Sequence, residues 1–227
     1  MFTETSPLEG PVTAVLRVFD VVVGVALERF LKDDRMVDFA RDQFQTARVK
    51  RIGHNARRWD RLIWETLYWA SLVVLVSLAL RFAIGSEVHM KHTYVEAKGS
   101  VSLFLKDLGF LVLFGVLLVR AALSPKLADF MLWLTTFLVV GMVWSWVEIV
   151  TLARSPFGSW WLLINSLQLA LTILGWWWVH RKPGHAPYML AILAVCYAAI
   201  FCFDVEQLIE TSGPTHAGHC FVYWCGT

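Results

Sequence analysis

The sequence predicts an all-α integral membrane protein, a polytopic transmembrane helix bundle without a separate soluble domain. Several nearly uncharged stretches of roughly twenty residues run through the chain, and each is long enough to cross a bilayer as a helix. Hydrophobic residues make up 57% of the 227 residues and charged residues only 17%. Because so little chain is left for any other domain, we expect residues 1–227 to form a single membrane domain.

Five of the apolar stretches combine the required length with low charge, at 62–84, 102–124, 127–152, 158–180 and 186–208. A sixth stretch at 12–30 is interrupted by Arg17, Asp20, Glu28 and Arg29. Two interpretations stay open for it. It spans the membrane to give six helices, or it lies in the interface and leaves five. We favour the spanning helix, because Arg17 and Asp20 are three residues apart and can neutralise each other on one helical face.

The distribution of basic residues predicts the orientation of the spans. The strongest cationic block lies between the first two candidate spans, at 31–61, and the positive-inside rule places it in the cytoplasm. With six alternating spans every predicted inner loop is basic, 85–101 is an outer loop, and both termini lie outside. Tryptophans give a second signal because they fall at the predicted interfaces of a plasma or inner membrane: Trp59, Trp64, Trp144, Trp146, Trp160, Trp161 and Trp176 to Trp178.

Residues 33–61 predict a basic cytoplasmic amphipathic helix that leads into the second span. Apolar residues recur there at approximately helical spacing and the stretch lacks proline, as expected for a surface helix. Anionic lipid headgroups explain the arginines, each contributing on the order of 1 kcal/mol, and docking of a cytoplasmic protein is the alternative. Nucleic acid is not an expected partner. The residues expected to bind lipid or partner are Arg41, Arg48, Lys50, Arg51, Arg57 and Arg58.

Polar residues held at membrane depth are the candidates for function, because an ionisable group there is costly unless it is paired or hydrated. In the functional interpretation they line a path for a cation or a proton in the outer half of the bundle. In the structural interpretation Arg17 pairs with Asp20, and Lys106, Asp107, Asp204 and Glu206 lie at headgroup level. The candidates for the ion path are Arg17, Asp20, Glu148, Asn165 and Gln168.

Histidines and cysteines gather on the predicted outer face, in the 85–101 loop and in the extracytoplasmic tail at 209–227. The tail has His216, His219 and Cys220 followed by Cys225, a spacing that matches no established zinc site. We therefore expect neither a metal nor a cofactor. A tail outside the cytoplasm meets an oxidising compartment, so we expect Cys220 and Cys225 to form a disulfide.

The sequence contains no phosphate-binding loop, no nucleophile elbow and no zinc-protease motif, so we do not expect an enzyme. The first functional hypothesis is a homo-oligomeric ion channel or permeation protein, in which small residues such as Gly24, Ala26 and Gly141 allow close helix contact. The second is a non-catalytic sensor or anchor of a multicomponent system, in stress response or defence, that recruits a cytoplasmic partner through 33–61. A repeat-built transporter ranks last, since no span has an internal proline.

Two sets of substitutions separate the first two hypotheses. In a sensor, charge reversal at Arg48, Lys50 and Arg51 abolishes recruitment of the cytoplasmic partner, because the docking helix loses its positive face. In a channel, Asp20→Asn alters ion flux and leaves partner binding intact. Co-purification measures the first effect and flux in liposomes the second. Recruitment that survives the charge reversal contradicts the sensor hypothesis.

Overall fold

A computed structural model of the chain describes residues 7–32, 56–96, 99–124, 126–151, 156–182 and 185–212. Within these ranges the fold is all-helical and contains no strand. The six α-helices in chain order are α1 (Glu9–Lys32), α2 (Ala56–Met90), α3 (Val101–Ala122), α4 (Leu127–Thr151), α5 (Pro156–Arg181) and α6 (Ala186–Ser212).

Each of the six helices contains a segment that is long and apolar enough to cross a membrane. The predicted spans at 102–124, 127–152, 158–180 and 186–208 agree with α3 to α6 within a few residues. The prediction of a loop from residue 85 is wrong, because α2 continues to Met90 and then as a π-helical turn at Lys91–Glu96. The side of the membrane on which this segment lies stays a prediction. This extension carries His89 and Tyr94 into the bundle, where both are buried.

Helix α1 belongs to the bundle, which favours the six-helix interpretation. Its buried residues recur every three or four positions and form one stripe that packs against α2 and α3. Such a stripe is the pattern of a helix with one face toward a protein core. The stripe consists of Val12, Leu16, Phe19, Val23, Ala26 and Phe30.

Helix α2 is the most buried of the six described helices. Its most apolar segment is 56% buried, against 22–44% for the other five helices. Neighbouring helices follow the order α1, α3, α4, α5, α6, α2 and back to α1. The Phe82 ring of α2 reaches inward to Phe114 of α3, Phe137 of α4 and Trp161 of α5, with ring centroids 4.4, 4.5 and 5.1 Å away. These rings form the aromatic centre of the core.

The tryptophans divide between the surface and the core. Trp176, Trp177 and Trp178 are exposed at the end of α5, and Arg181 and Lys182 lie over the rings of the last two. Exposed rings beside basic residues are typical of a membrane interface.

Trp144 and Trp161 were expected at interfaces as well, but both are core residues, at 5% and 8% exposure. Trp146 is exposed, as an interfacial residue would be.

Part of the predicted cytoplasmic helix and most of the tail lie outside the described residues. Arg57 and Arg58 belong to the first turn of α2. Arg41, Arg48, Lys50 and Arg51 lie outside the described residues, as do Cys220 and Cys225. Lipid binding, partner binding and the disulfide therefore stay predictions.

Candidate functional site

A buried arginine stands at the centre of the first polar cluster, named here the arginine cluster and formed by Arg81, Asp204, Asn165 and Gln168. Arg81 Nε donates to Asp204 Oδ2 of α6. Arg81 Nη1 donates to Asn165 Oδ1 at 2.7 Å and to Gln168 Oε1 at 2.8 Å, both on α5. The Arg81 side chain is 1% exposed and that of Asp204 13%. The cluster therefore joins α2, α5 and α6 through one charge.

An aromatic ring covers the guanidinium. The Arg81 Cζ lies 4.3 Å from the centroid of the Trp161 ring, close enough for a cation–π attraction. The ring approaches α2 at Gly85, where a Cβ would lie 2.0 Å from Trp161 Cζ2. Glycine at this position is required for Trp161 to reach the arginine, because any larger residue would occupy the same space as the ring.

The second polar cluster lies two helical turns further along α2 and is named the histidine cluster: His89, Asp107, Glu148 and Lys106. His89 Nε2 lies 3.1 Å from Asp107 Oδ2 of α3 and 3.6 Å from Glu148 Oε2 of α4. On the opposite side of the two carboxylates, Lys106 Nζ donates to Glu148 Oε1 and lies 3.5 Å from Asp107 Oδ1. The two carboxylates are thus held between an imidazole and an ammonium group.

Two aromatic side chains hold Asp107 in place. Tyr94 donates its hydroxyl to Asp107 Oδ2 at 2.5 Å, and Trp144 donates its indole N–H to Asp107 Oδ1 at 3.0 Å. Tyr94 lies in the π-helical turn, a local geometry that occurs mostly at functional sites. Gly99 lies against this turn, since its backbone N–H donates to the Thr93 carbonyl oxygen at 2.9 Å. A Cβ at Gly99 would lie 2.8 Å from that oxygen and 2.8 Å from Tyr94 Cδ1, so glycine there leaves room for the Tyr94 ring.

Two tryptophan rings, Trp144 and Trp161, lie between the two clusters. The Trp144 ring packs against His89 with centroids 5.2 Å apart, and it lies 6.2 Å from Trp161, which covers Arg81. Four buried polar atoms of these clusters have no hydrogen-bond partner among the described residues: Arg81 Nη2, Asn165 Nδ2, Gln168 Nε2 and Glu148 Oε2. Unpartnered buried groups are rare in folded proteins and mark positions suited to an ion, a water or a ligand.

The structure brings three of the five predicted ion-path residues into these clusters. Glu148 belongs to the histidine cluster, and Asn165 and Gln168 belong to the arginine cluster. Arg17 and Asp20 lie elsewhere, on the exposed outward face of α1. Among the described ion pairs none joins these two residues.

Sequence reasoning missed Arg81 and placed Asp107, Lys106 and Asp204 at headgroup level. Arg81 was visible as a basic residue within the predicted span 62–84, and that signal alone marks it as a candidate. His89 was assigned to a loop because the apolar run weakens after Ile84. Its partners lie on α3 and α4, 18 and 59 positions further along the chain, so no local spacing could reveal the cluster.

An apolar groove of about 740 Å³ runs along the outward side of α1 and α3. Valines and leucines line most of it, and Gly115 allows Val22 to approach α3, since a Cβ there would lie 3.0 Å from Val22 Cγ1. Arg120 is the charged residue that lines it.

Protein-family models, curated proteins and solved structures were compared with the chain, and none of them matches it. The structure itself indicates a membrane protein, because six helices are long and apolar enough to cross a bilayer and ionisable side chains are buried between them.

In the arginine cluster, we expect substitutions of Asp204 and Arg81 to have non-additive effects on the free energy of unfolding. Asp204→Asn leaves the deeply buried Arg81 without a carboxylate and should lower the free energy of unfolding by about 3–5 kcal/mol. Adding Arg81→Met removes the orphaned charge and should restore part of that loss. Thermal unfolding of the purified protein in detergent measures both effects. Glu87→Gln, which breaks an exposed pair with Lys91, is the control and should change little. Strictly additive losses would contradict a direct pairing.

Proposed function

We propose that the protein is a permeation protein for protons or small cations, and that the histidine and arginine clusters form its polar site. The observation that supports this proposal most strongly is the buried His89 imidazole between two carboxylates, at 3.1 Å and 3.6 Å. Ionisable residues inside a membrane bundle typically belong to ion pathways and proton relays.

The chemistry of the histidine cluster suits proton transfer. An imidazole carries two ring nitrogens that can donate or accept a proton. Asp107 and Glu148 offer acceptor oxygens on two different helices, and Lys106 lies at the partly exposed edge of the cluster. A proton that enters beside Lys106 could pass to Glu148 and then to His89 over distances close to those of hydrogen bonds.

The energetic cost of the clusters also favours a functional role. Burying paired charges gives little net stability, and well-packed apolar side chains of similar volume serve a bundle equally well or better. Here seven polar or charged side chains from five helices are buried or nearly buried together. A purely structural bundle has no need for this arrangement. The set comprises Arg81, His89, Asp107, Glu148, Asn165, Gln168 and Asp204.

Flux through reconstituted protein tests the proposal. Proton flux is measured with a pH-sensitive dye in liposomes that contain the purified chain and are given a potassium gradient with valinomycin. Sodium and potassium fluxes are measured in the same liposomes without valinomycin. Glu148→Gln keeps the size of the side chain but removes its charge and its proton exchange. We expect it to lower the flux by about tenfold or more, which corresponds to a barrier raised by only about 1.4 kcal/mol.

Glu206→Gln is the matched control, because it makes the same chemical change on the exposed surface of α6. We expect it to conduct like the original protein. Asp20→Asn distinguishes two routes for the ions. Flux along a path through the clusters should not change in this variant, whereas flux along a path between copies at the outward face of α1 should change. Flux that is lost in Asp20→Asn and kept in Glu148→Gln would overturn the proposed path. No flux from the unsubstituted chain under voltage or pH gradients would overturn permeation itself.

A homo-oligomer that forms through α1 is part of the proposal. Arg17 and Asp20 are exposed within an apolar helix face that also exposes Val18, Val21 and Val25, and charges facing lipid are costly. In a two-fold arrangement of parallel helices, Arg17 of one copy can pair with Asp20 of its partner and the reverse pair forms by symmetry. The adjoining apolar groove would receive side chains of the second copy.

Charge swapping tests this association. Asp20→Arg places like charges opposite each other and should dissociate the oligomer, and the double variant Arg17→Asp/Asp20→Arg should restore it because the complementary pairs form again. Crosslinking in liposomes, with native mass spectrometry of the detergent complex, measures the number of copies. A chain that stays monomeric without any substitution, or an oligomer indifferent to Asp20→Arg, would contradict association through this face.

A further inference from the structure

We propose that His89, Asp107 and Glu148 bind a divalent transition-metal cation such as zinc. The three side chains come from α2, α3 and α4, are all buried, and place one ligand atom each within 4.8 Å of the other two. This inference goes beyond the proposed permeation and does not depend on it, because a bound metal is measured without any flux.

The spacing of the ligand atoms matches a metal site. Zinc bonds of about 2.0–2.1 Å at tetrahedral angles separate neighbouring ligand atoms by about 3.3 Å. His89 Nε2 lies 3.1 Å from Asp107 Oδ2 and 3.6 Å from Glu148 Oε2. Two edges of the ligand triangle therefore lie close to the required length, and the ligand atoms of all three side chains are within 4.8 Å of one another.

An unpartnered acceptor is the second, independent observation. Glu148 Oε2 is buried and has no hydrogen-bond partner among the described residues, and it faces His89 Nε2. The other oxygen of this carboxylate already accepts from Lys106. A carboxylate oxygen that is removed from water without a donor is costly. A cation between Glu148, His89 and Asp107 would supply the missing interaction.

The groups around the triad already have the arrangement of an outer shell. Trp144 and Lys106 approach Asp107 at Oδ1, and Lys106 donates to Glu148 at Oε1, on the side away from His89. Tyr94 donates to Asp107 Oδ2, the oxygen that faces His89, and an oxygen that accepts one hydrogen bond keeps a second lone pair for a metal. Outer donors of this kind orient carboxylate ligands and tune a bound metal. A cation on the His89 side therefore leaves the Lys106 contacts in place.

Charge and ligand type select the class of cation. Lys106 balances one of the two carboxylates, so the cluster keeps a net negative charge when His89 is neutral. An imidazole nitrogen with two carboxylate oxygens suits zinc, manganese or ferrous iron, whereas magnesium and calcium prefer oxygen alone. The three protein ligands leave a fourth position open, as in zinc sites that bind an exchangeable ligand.

Zinc binding to the full-length protein in detergent tests the inference. Equilibrium dialysis followed by elemental analysis measures zinc per chain, and titration with cobalt gives the visible absorption band of a tetrahedral site. We expect one tight zinc per chain. Glu148→Gln and His89→Ala should each weaken it by at least about tenfold, since even the loss of an outer partner of a metal ligand costs about 10–100-fold in affinity.

Two controls separate this site from other histidines and cysteines. His92→Ala removes an exposed histidine three residues from His89. A variant with His216, His219, Cys220 and Cys225 all replaced by serine removes the potential ligands of the tail. We expect both to bind zinc like the original chain. Protection against thermal unfolding by zinc should be lost in Glu148→Gln, the variant that preserves shape.

The outcomes are distinct for each proposal. No tight zinc binding by the original chain, binding that survives both His89→Ala and Glu148→Gln, or binding lost only with the tail variant would overturn the metal site. Tight zinc without proton or cation flux would retain the metal site and remove the proposed permeation. Flux without zinc binding would retain the proposed permeation and remove the metal site. Preference for magnesium over zinc would overturn the assigned class of cation.

Discussion

The cost of holding charge inside an apolar helix bundle is the constraint on which the rest of this structure depends. Arg81 lies among apolar helices and is nearly inaccessible, so its charge needs partners from within the protein. Asp204 supplies the opposite charge, while Asn165 and Gln168 supply neutral acceptors. Since these partners come from α5 and α6, satisfying one arginine determines how three helices pack.

The same constraint organises the neighbouring cluster with a different balance of charge. Asp107 is fully partnered, by Tyr94, Trp144 and His89, whereas Glu148 keeps one oxygen without a donor. A proton or a metal ion bound beside the His89 imidazole would supply the interaction that this Glu148 oxygen lacks. Both functional proposals rest on this unpartnered acceptor.

Aromatic packing and polar chemistry depend on each other here. Trp144 and Trp161 pack against Phe82 in the core, and each also contacts a charged or ionisable group. Gly85 permits this by leaving room for the Trp161 ring against α2. The clusters are therefore held by side chains on packed helices, which position ligands more precisely than loops do.

The sequence by itself determined the class of protein and nearly all the spans, because a helix that crosses a bilayer must be long and apolar along its own length. It also identified Glu148, Asn165 and Gln168 as candidate site residues, and all three belong to the two buried clusters. Local pattern could not show that α2 continues through His89, since the helix there is held by partners on α1 and α3.

Only the tertiary structure decided which charges meet. Arg81 and Asp204 are 123 positions apart, and the histidine cluster joins three helices. Such pairings depend on the packing order and rotation of the helices about their axes, which side chains from the whole bundle set together. The same packing left Arg17 and Asp20 on the outward face of α1, although their spacing in the sequence suggested that they pair with each other.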